Sequence, residues 1–290
     1  MLYICPFCAS SEYDIFKKNQ GLRDSEDLVR DFYKCRKCDT IYPCPRTELD
    51  ENLKGFSSGA KGIDLNDPTQ PVSESDFLIK TLKRYRKQYN IKKALDIGSY
   101  TGRFCYVLES LGIETYGLEP QDKAVEYARS KGLKVYDGFF PEQIPSELND
   151  AKYDLISCNE SIYYFVDLKQ ALLKIYEMLL EKGILFIKFH QGNSYYYSSG
   201  GSLFSRYGDY VQSIPTARSL FQCLNSIGFE VKEISSVPDQ YLHVLFGIDK
   251  DRVPLIHKVF NRLYRRFFLD KDKWIELADR LIIVACKGVE

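Results

Sequence analysis

Ala94-Leu95-Asp96-Ile97-Gly98-Ser99-Tyr100-Thr101-Gly102 is a short apolar run that meets an acid and then a glycine turn. It reads as a strand over Lys93 to Asp96, a turn, and a helix from Gly102 to Leu111. A second apolar run, Glu114 to Leu118, again ends in an acid, Glu119, followed by Pro120. Two strands that each finish on a carboxylate, joined by a glycine turn and a helix, make a strand–helix–strand unit of a parallel sheet.

Outward from this unit the alternation continues. A helix capped at Ser75-Asp76 precedes it, with Phe77, Leu78, Leu82 and Tyr85 on its apolar face. A helix from Asp122 to Lys131 follows. Strands are then expected at 134–136, 153–158, 184–189, 231–237 and 280–287. Helices are expected at Leu168–Leu180, stopped by Glu181-Lys182-Gly183, and at Thr216–Gly228. The fold class is α/β: a doubly wound, Rossmann-like, mostly parallel sheet, whose ligands bind beyond the carboxyl ends of the strands.

Those ends carry the candidate ligand-binding residues. Gly98 and Gly102 let the backbone approach a ligand at a helix N-terminus, with Ser99 and Tyr100 between them. The spacing is G-x-x-x-G, not the G-x-G-x-x-G of a dinucleotide site, and a bare glycine pair is also what an ordinary strand–helix turn contains. Asp96 sharpens the reading. A carboxylate there repels a pyrophosphate but suits the cationic amine of a methionine moiety, as in S-adenosylmethionine. Glu119, 23 residues on, can accept ribose hydroxyls. Asp137-Gly138-Phe139 ends the third strand, where an adenine would meet a polar group and an aromatic face.

The N-terminal residues have a different signature. Cys5-Pro6-Phe7-Cys8 and Cys35-Arg36-Lys37-Cys38 are two C-x-x-C pairs, each able to grip one metal from a tight turn. Together they predict a tetrahedral zinc site of four thiolates, Cys5, Cys8, Cys35 and Cys38, in a zinc ribbon over residues 1–50. Strands are expected at 13–16 and 31–34, with an inserted loop around Asn19–Asp24. Such a ribbon has little core of its own and is held by its metal. Four thiolates leave no open coordination position, so the zinc reads as structural. Cys44 is a spare thiol read as packing. Residues 51–75, rich in Gly, Ser, Asp and Pro, read as a linker or mobile segment, and 76–290 as the main domain.

With these motifs in place, the chain resembles the class I S-adenosylmethionine-dependent methyltransferases, most closely a bacterial small-molecule or saccharide type with an N-terminal zinc ribbon. The resemblance rests on both C-x-x-C pairs, on Tyr42-Pro43-Cys44-Pro45-Arg46, on Asp96 to Gly102, on Glu119, and on Ser219-Leu220 with Gly228-Phe229-Glu230-Val231. It implies a seven-stranded sheet whose final strand, 280–287, is antiparallel. It implies that Asp96, Gly98 and Gly102 shape the methionine end, that Glu119 with Pro120 serves the ribose, that Asp137 to Phe139 flank adenine, and that Asn159 and Glu160 line the methyl-donor site. The chain departs from many relatives at Tyr163 and Tyr164, where those have an acid–His pair.

Composition sets the outer limits. Lys plus Arg and Asp plus Glu are 40 each, a formal net charge of zero, and residues 1–51 hold eight basic against ten acidic side chains. Neither balance supports nucleic acid as the partner. An RNA methyltransferase gripping its target with the ribbon is the alternative enzyme, and a non-catalytic binding protein on the same fold is the alternative class. No apolar run approaches a bilayer span, and Met1-Leu-Tyr-Ile-Cys-Pro6 lacks the features of a signal peptide, so a cytoplasmic protein is expected. Nine cysteines then read as metal ligands and buried thiols. His190, at the end of the fifth strand, and Glu160 are the candidate general bases, needed only if the acceptor is an alcohol, phenol or carbon acid. The segment Gly192 to Ser202 reads as a substrate lid. Pro254 to Phe268 reads as an amphipathic helix with a basic face, which leaves membrane contact open. Oligomeric state is not readable. The acceptor expected is a small molecule or saccharide, methylated on oxygen.

Overall fold

A computed structural model describes residues 4–22, 25–46, 48–49, 55, 67–68, 75–194, 210–236, 278 and 280–288. Most of the linker, most of the lid and the whole basic helix read from the sequence lie outside these residues.

The N-terminal part is a three-stranded antiparallel sheet of β1 (Tyr13–Leu22), β2 (Ser25–Cys35) and β3 (Ile41–Cys44). The loop expected at 19–24 is instead mostly strand. The β1–β2 hairpin continues to Leu22 and Ser25, with register shifts absorbing the extra length. The ribbon does not stand on its own metal alone. Its buried Phe7, Phe32, Tyr33, Ile41 and Tyr42 join one apolar cluster with Ile214, Leu220 and Leu224 of the main domain. Ile41 and Ile214 are each fully buried, worth about 1.5–3 kcal/mol apiece. The two exchange backbone hydrogen bonds, Ile41 N–H to the Ile214 carbonyl at 3.0 Å and the reverse at 2.7 Å.

The main domain runs α1 (Ser75–Tyr89), β4 (Lys93–Ile97), α2 (Arg103–Ser110), β5 (Glu114–Glu119), α3 (Asp122–Ser130), β6 (Val135–Asp137), α4 (Ser146–Asn149) and β7 (Tyr153–Asn159). A 3-10 turn (Ile162–Tyr164), α5 (Leu168–Met178), β8 (Leu179–His190), α6 (Ala217–Ile227), β9 (Phe229–Ser236) and β10 (Arg280–Lys287) complete it. Seven strands form one sheet in the order β6-β5-β4-β7-β8-β10-β9. All neighbours are parallel except β10, which runs antiparallel to both β8 and β9, as the resemblance implied. Central strands are buried on both faces, and so are nearly continuous apolar runs: Leu281 to Ala285 are all inaccessible to solvent. No helix among the described residues is long and apolar enough to cross a membrane.

One boundary differs from expectation for a clear reason. The helix expected to run to Leu180 ends at Met178, and β8 starts at once with Leu179, paired to Tyr153. Leu179 is buried, so pairing in the sheet gains more than one further helical residue. The Lys287 ammonium donates to the carbonyls of Tyr176 and Leu179 at the junction.

Helix α6 begins at a capping box. The Thr216 hydroxyl accepts from Ser219 N–H at 3.1 Å, and Ser219 Oγ accepts from Thr216 N–H at 2.9 Å. Both residues are buried, so water cannot replace the lost cap. Thr216→Ala is expected to lower unfolding free energy by about 1–2 kcal/mol in a urea titration.

Candidate functional site

The carboxyl ends of β4, β5, β6 and β7 meet at one edge of the sheet. Register places Ile97 beside Leu118 and Cys158, and Glu119 beside Asp137. The sequence-derived residues Asp96, Gly98, Ser99, Tyr100, Gly102, Glu119, Pro120, Asp137, Gly138 and Asn159 therefore share this edge. Phe139 follows them and is buried.

The turn after β4 is built from three left-handed residues, Gly98 (φ 74°), Tyr100 (φ 49°) and Gly102 (φ 80°). Gly98 and Ser99 donate backbone N–H to the Leu118 carbonyl at 2.8 and 3.2 Å, which ties the turn to the end of β5. A Cβ on Gly98 would lie 2.5 Å from Ser161 Cβ, and one on Gly102 would lie 2.4 Å from Leu133 Cδ1. Both glycines are thus required by conformation and by space.

Two carboxylates are buried here. Asp96 is 1% exposed and its Oδ1 accepts from Ser157 Oγ at 2.6 Å. Glu119 is 4% exposed; Oε2 accepts from Tyr100 N–H at 2.8 Å and Oε1 from Gln121 N–H at 3.1 Å. Each Glu119 oxygen has one donor and retains a lone pair. Burial pushes both groups up to about 7, Asp96 further against the charge of Glu119. Ser99 Oγ and Asn159 Oδ1 are buried at the same edge with no hydrogen-bond partner among the described residues. Buried polar atoms left so are costly, and they fit a site that a polar ligand completes.

A second constellation sits after β7 and β8. Glu160 is held at φ 62°, a left-handed conformation unusual for a residue with a Cβ. Its Oε2 accepts from Tyr163 Oη at 2.9 Å, and Oε1 lies 3.3 Å from Arg280 Nε and 3.8 Å from Lys188 Nζ. His190 Nε2 is 3.2 Å from Arg280 Nε, which donates to it, and 3.6 Å from Glu160 Oε2. Glu160 and His190, taken separately in the sequence, are thus neighbours. Sequence reasoning missed Lys188 and Arg280, and at Tyr163 noted only a departure from relatives. Lys188 left a signal: it is a lone charge inside the apolar strand Ile184-Leu-Phe-Ile-Lys-Phe189.

In the ribbon, Cys5, Cys8, Cys35 and Cys38 bring their sulfurs within 4.8 Å of one another, and no disulfide joins them. Cys5–Cys38 and Cys8–Cys35 are separated by 3.6 and 3.5 Å. Tetrahedral zinc with Zn–S of about 2.3 Å places its sulfurs about 3.8 Å apart, so the donor set fits. Burial pushes the Cys8 thiol up to about 11; a cation would reverse that and hold it as thiolate. Cys44 is partly buried and outside the cluster.

Residues 73–234 match a family model described as a methyltransferase domain, and the chain belongs to that family. It is an S-adenosylmethionine-dependent methyltransferase. Among solved structures, it is similar to a Galdieria sulphuraria protein assigned as a sarcosine dimethylglycine methyltransferase, with 15% identity, TM-score 0.53 and coverage of 81% of this chain and 94% of that one. It is similar to the [4+2]-cyclase SpnF at 20% identity and TM-score 0.51, covering 83% and 92%. A Mesorhizobium loti S-adenosylmethionine-dependent methyltransferase matches at 14% identity and TM-score 0.50, covering 72% and 96%. At such identities the likeness bears on the fold alone. No curated protein matches the chain by sequence.

The raised carboxyls set a pH dependence. Asp96 and Glu119 bind protons more tightly folded than unfolded, so between about pH 4, the usual carboxylate value, and pH 7 the native state holds more protons. Their contribution to stability is therefore present at low pH and lost as pH rises through about 7. Comparing the wild type with Asp96→Asn by thermal melting, the wild type is expected to lose stability relative to the variant from pH 5 to pH 8.

Proposed function

We propose that the protein transfers a methyl group from S-adenosylmethionine to an oxygen of a small-molecule or saccharide acceptor. The donor lies across the carboxyl ends of β4 to β7 and the acceptor meets Glu160. The observation that carries the donor reading is the pair of buried carboxylates, Asp96 and Glu119, beside the glycine turn. Asp96 faces the amine of the methionine end. Gly98, Ser99, Tyr100 and Gly102 give the backbone its close approach. Glu119, with Pro120 shaping the turn, accepts the ribose hydroxyls on its remaining lone pairs. Asp137, Gly138 and Phe139 border the adenine, and Asn159 offers its unpartnered Oδ1 to the donor's polar atoms. Asp96, held up to about 7 by burial, ionises on meeting the cationic amine, so binding releases a proton near neutral pH.

The donor supplies a sulfonium methyl, whose displacement needs alignment more than acid–base help. The chain's residues supply that alignment and, for a hydroxyl acceptor, a proton sink. Glu160 is better placed than His190 for this. Nε2 of His190 already accepts from Arg280, which occupies the lone pair a base would use. Glu160, 30% exposed at its side chain, is open enough to reach an acceptor. The preference for oxygen and the acceptor class both follow from the resemblance of the sequence.

The domain organisation proposed is a zinc ribbon over 1–50, a linker over 51–75 and the methyltransferase domain over 76–290. Zinc is held by Cys5, Cys8, Cys35 and Cys38 in a structural role. The ribbon's edge strand β3 bonds the main domain at Ile41, and the ribbon's near-balanced charge gives no electrostatic support for gripping RNA.

Two measurements test this reading. In calorimetric titration with S-adenosylhomocysteine, Glu119→Ala is expected to bind at least about tenfold more weakly than wild type, the loss of a charge-assisted hydrogen bond; equal affinity contradicts the donor site. Elemental analysis of folded protein is expected to find one zinc per chain, and a Cys35→Ser, Cys38→Ser double variant to find none.

A further inference from the structure

Residues 211–216, Val-Gln-Ser-Ile-Pro-Thr, are buried along their whole length yet form no helix or strand. A buried irregular segment must place its backbone polar groups on its neighbours. This one does so on two sides. Toward the ribbon, Ile214 exchanges both backbone bonds with Ile41. Toward the catalytic edge, Gln212 and Ser213 donate N–H to the Tyr163 carbonyl at 2.8 and 3.2 Å. Pro215 accepts from Gly192 N–H at 3.2 Å, directly after β8. Packing is as close as the bonding: a Cβ on Gly192 would lie 2.6 Å from Ile41 Cδ1.

Each end of this strap reaches a functional group. Ile41 stands three residues after Cys38, at the start of β3 and directly after a turn closed by Cys35 N–H to the Thr40 carbonyl and Asp39 N–H to the Cys35 carbonyl, both 2.9 Å. Cys38 Sγ is 3.3 Å from Thr40 Oγ1. At the other end, Tyr163 Oη donates to Glu160 Oε2 at 2.9 Å and accepts from His190 N–H. Tyr163 is 2% exposed, so it contacts the acceptor little and acts by holding others. By contrast, the bonds that hold Asp96 and Glu119 come from Ser157, Tyr100 and Gln121, all within β4, β5, β7 and their turns.

We propose that the metal-bound turn of the ribbon sets the acceptor side of the catalytic site: it fixes the strap 211–216, the strap fixes Tyr163, and Tyr163 is the positioning residue for Glu160. The donor side is independent of it. Zinc then has a role in catalysis without touching substrate. This inference rests on the donor and acceptor assignment above.

The test is amide hydrogen exchange on the full-length, zinc-loaded chain, before and after zinc is removed with a chelator, with S-adenosylhomocysteine affinity measured in parallel. After chelation, exchange at Gln212, Ser213, Ile214 and His190 is expected to accelerate at least about a hundredfold, through local opening. Leu95 and Ile97 are expected to stay protected, ligand affinity to stay within about threefold of the loaded protein, and added zinc to restore the pattern. Tyr163→Phe is the second arm. It keeps the carbonyl that receives Gln212 and Ser213 but loses the hydroxyl, so it is expected to expose His190 while retaining zinc and the protection of 212–214. Unchanged protection of 212–214 after chelation overturns the proposal. So does global loss of protection together with ligand binding, because the metal would then support the whole fold. If the zinc-loaded protein binds no S-adenosylhomocysteine at all, the donor-site reading is what fails; the exchange pattern, read without ligand, tells the two apart.

Discussion

The rest of the site depends on two carboxylates kept out of water at the ends of adjacent parallel strands. Asp96 and Glu119 are both buried, and burial holds both up to about 7. A chain that needed only stability would place apolar residues there, since burying an acid costs several kcal/mol unless something answers its charge. The turn that follows holds three left-handed residues within five positions, and two of them are glycines that take this conformation without steric cost, leaving Tyr100 as the strained one. In the proposed site, the cationic amine of the methyl donor would answer the buried Asp96 carboxylate.

Around that edge the fold distributes its polar groups. β4, β5 and β6 carry Asp96, Glu119 and Asp137, Glu160 follows β7, β8 carries Lys188 and His190, and the antiparallel β10 brings Arg280 against them. The antiparallel strand is therefore more than a sheet-closing element. It pairs Arg280 with His190 across the ladder and so occupies the imidazole that the sequence alone nominated as a base. The ribbon adds a further layer, joined to the body by shared apolar burial and by the Ile41–Ile214 bridge.

Much of this was legible in the sequence. The acid–glycine turn, the second acid and each C-x-x-C pair are local patterns, visible before folding; in the fold Asp96 and Glu119 are buried on adjacent strands and the four cysteine sulfurs lie together. What was not legible depends on long-range register. The pairing of Arg280 with His190 spans ninety positions, and no periodicity announces it. The strap 211–216 has neither helical nor strand periodicity, because its burial is set by two neighbours rather than by its own pattern. The long β1–β2 hairpin was hidden by its polar composition, Lys17-Lys18-Asn19-Gln20, which reads as a loop until it is paired. The early end of α5 at Met178 was hidden because Leu179 and Leu180 continue a helical apolar pattern while Leu179 in fact pairs into the sheet.

A crystal structure of the zinc-loaded protein with S-adenosylhomocysteine tests the central claim most directly. The account predicts the ribose hydroxyls on the Glu119 carboxylate, the amino-acid end over the Gly98–Gly102 turn beside Asp96, and the sulfur directed toward Glu160. A ligand bound elsewhere, with Glu119 still bonded as it is to Tyr100 and Gln121 and to nothing of the ligand, would contradict it.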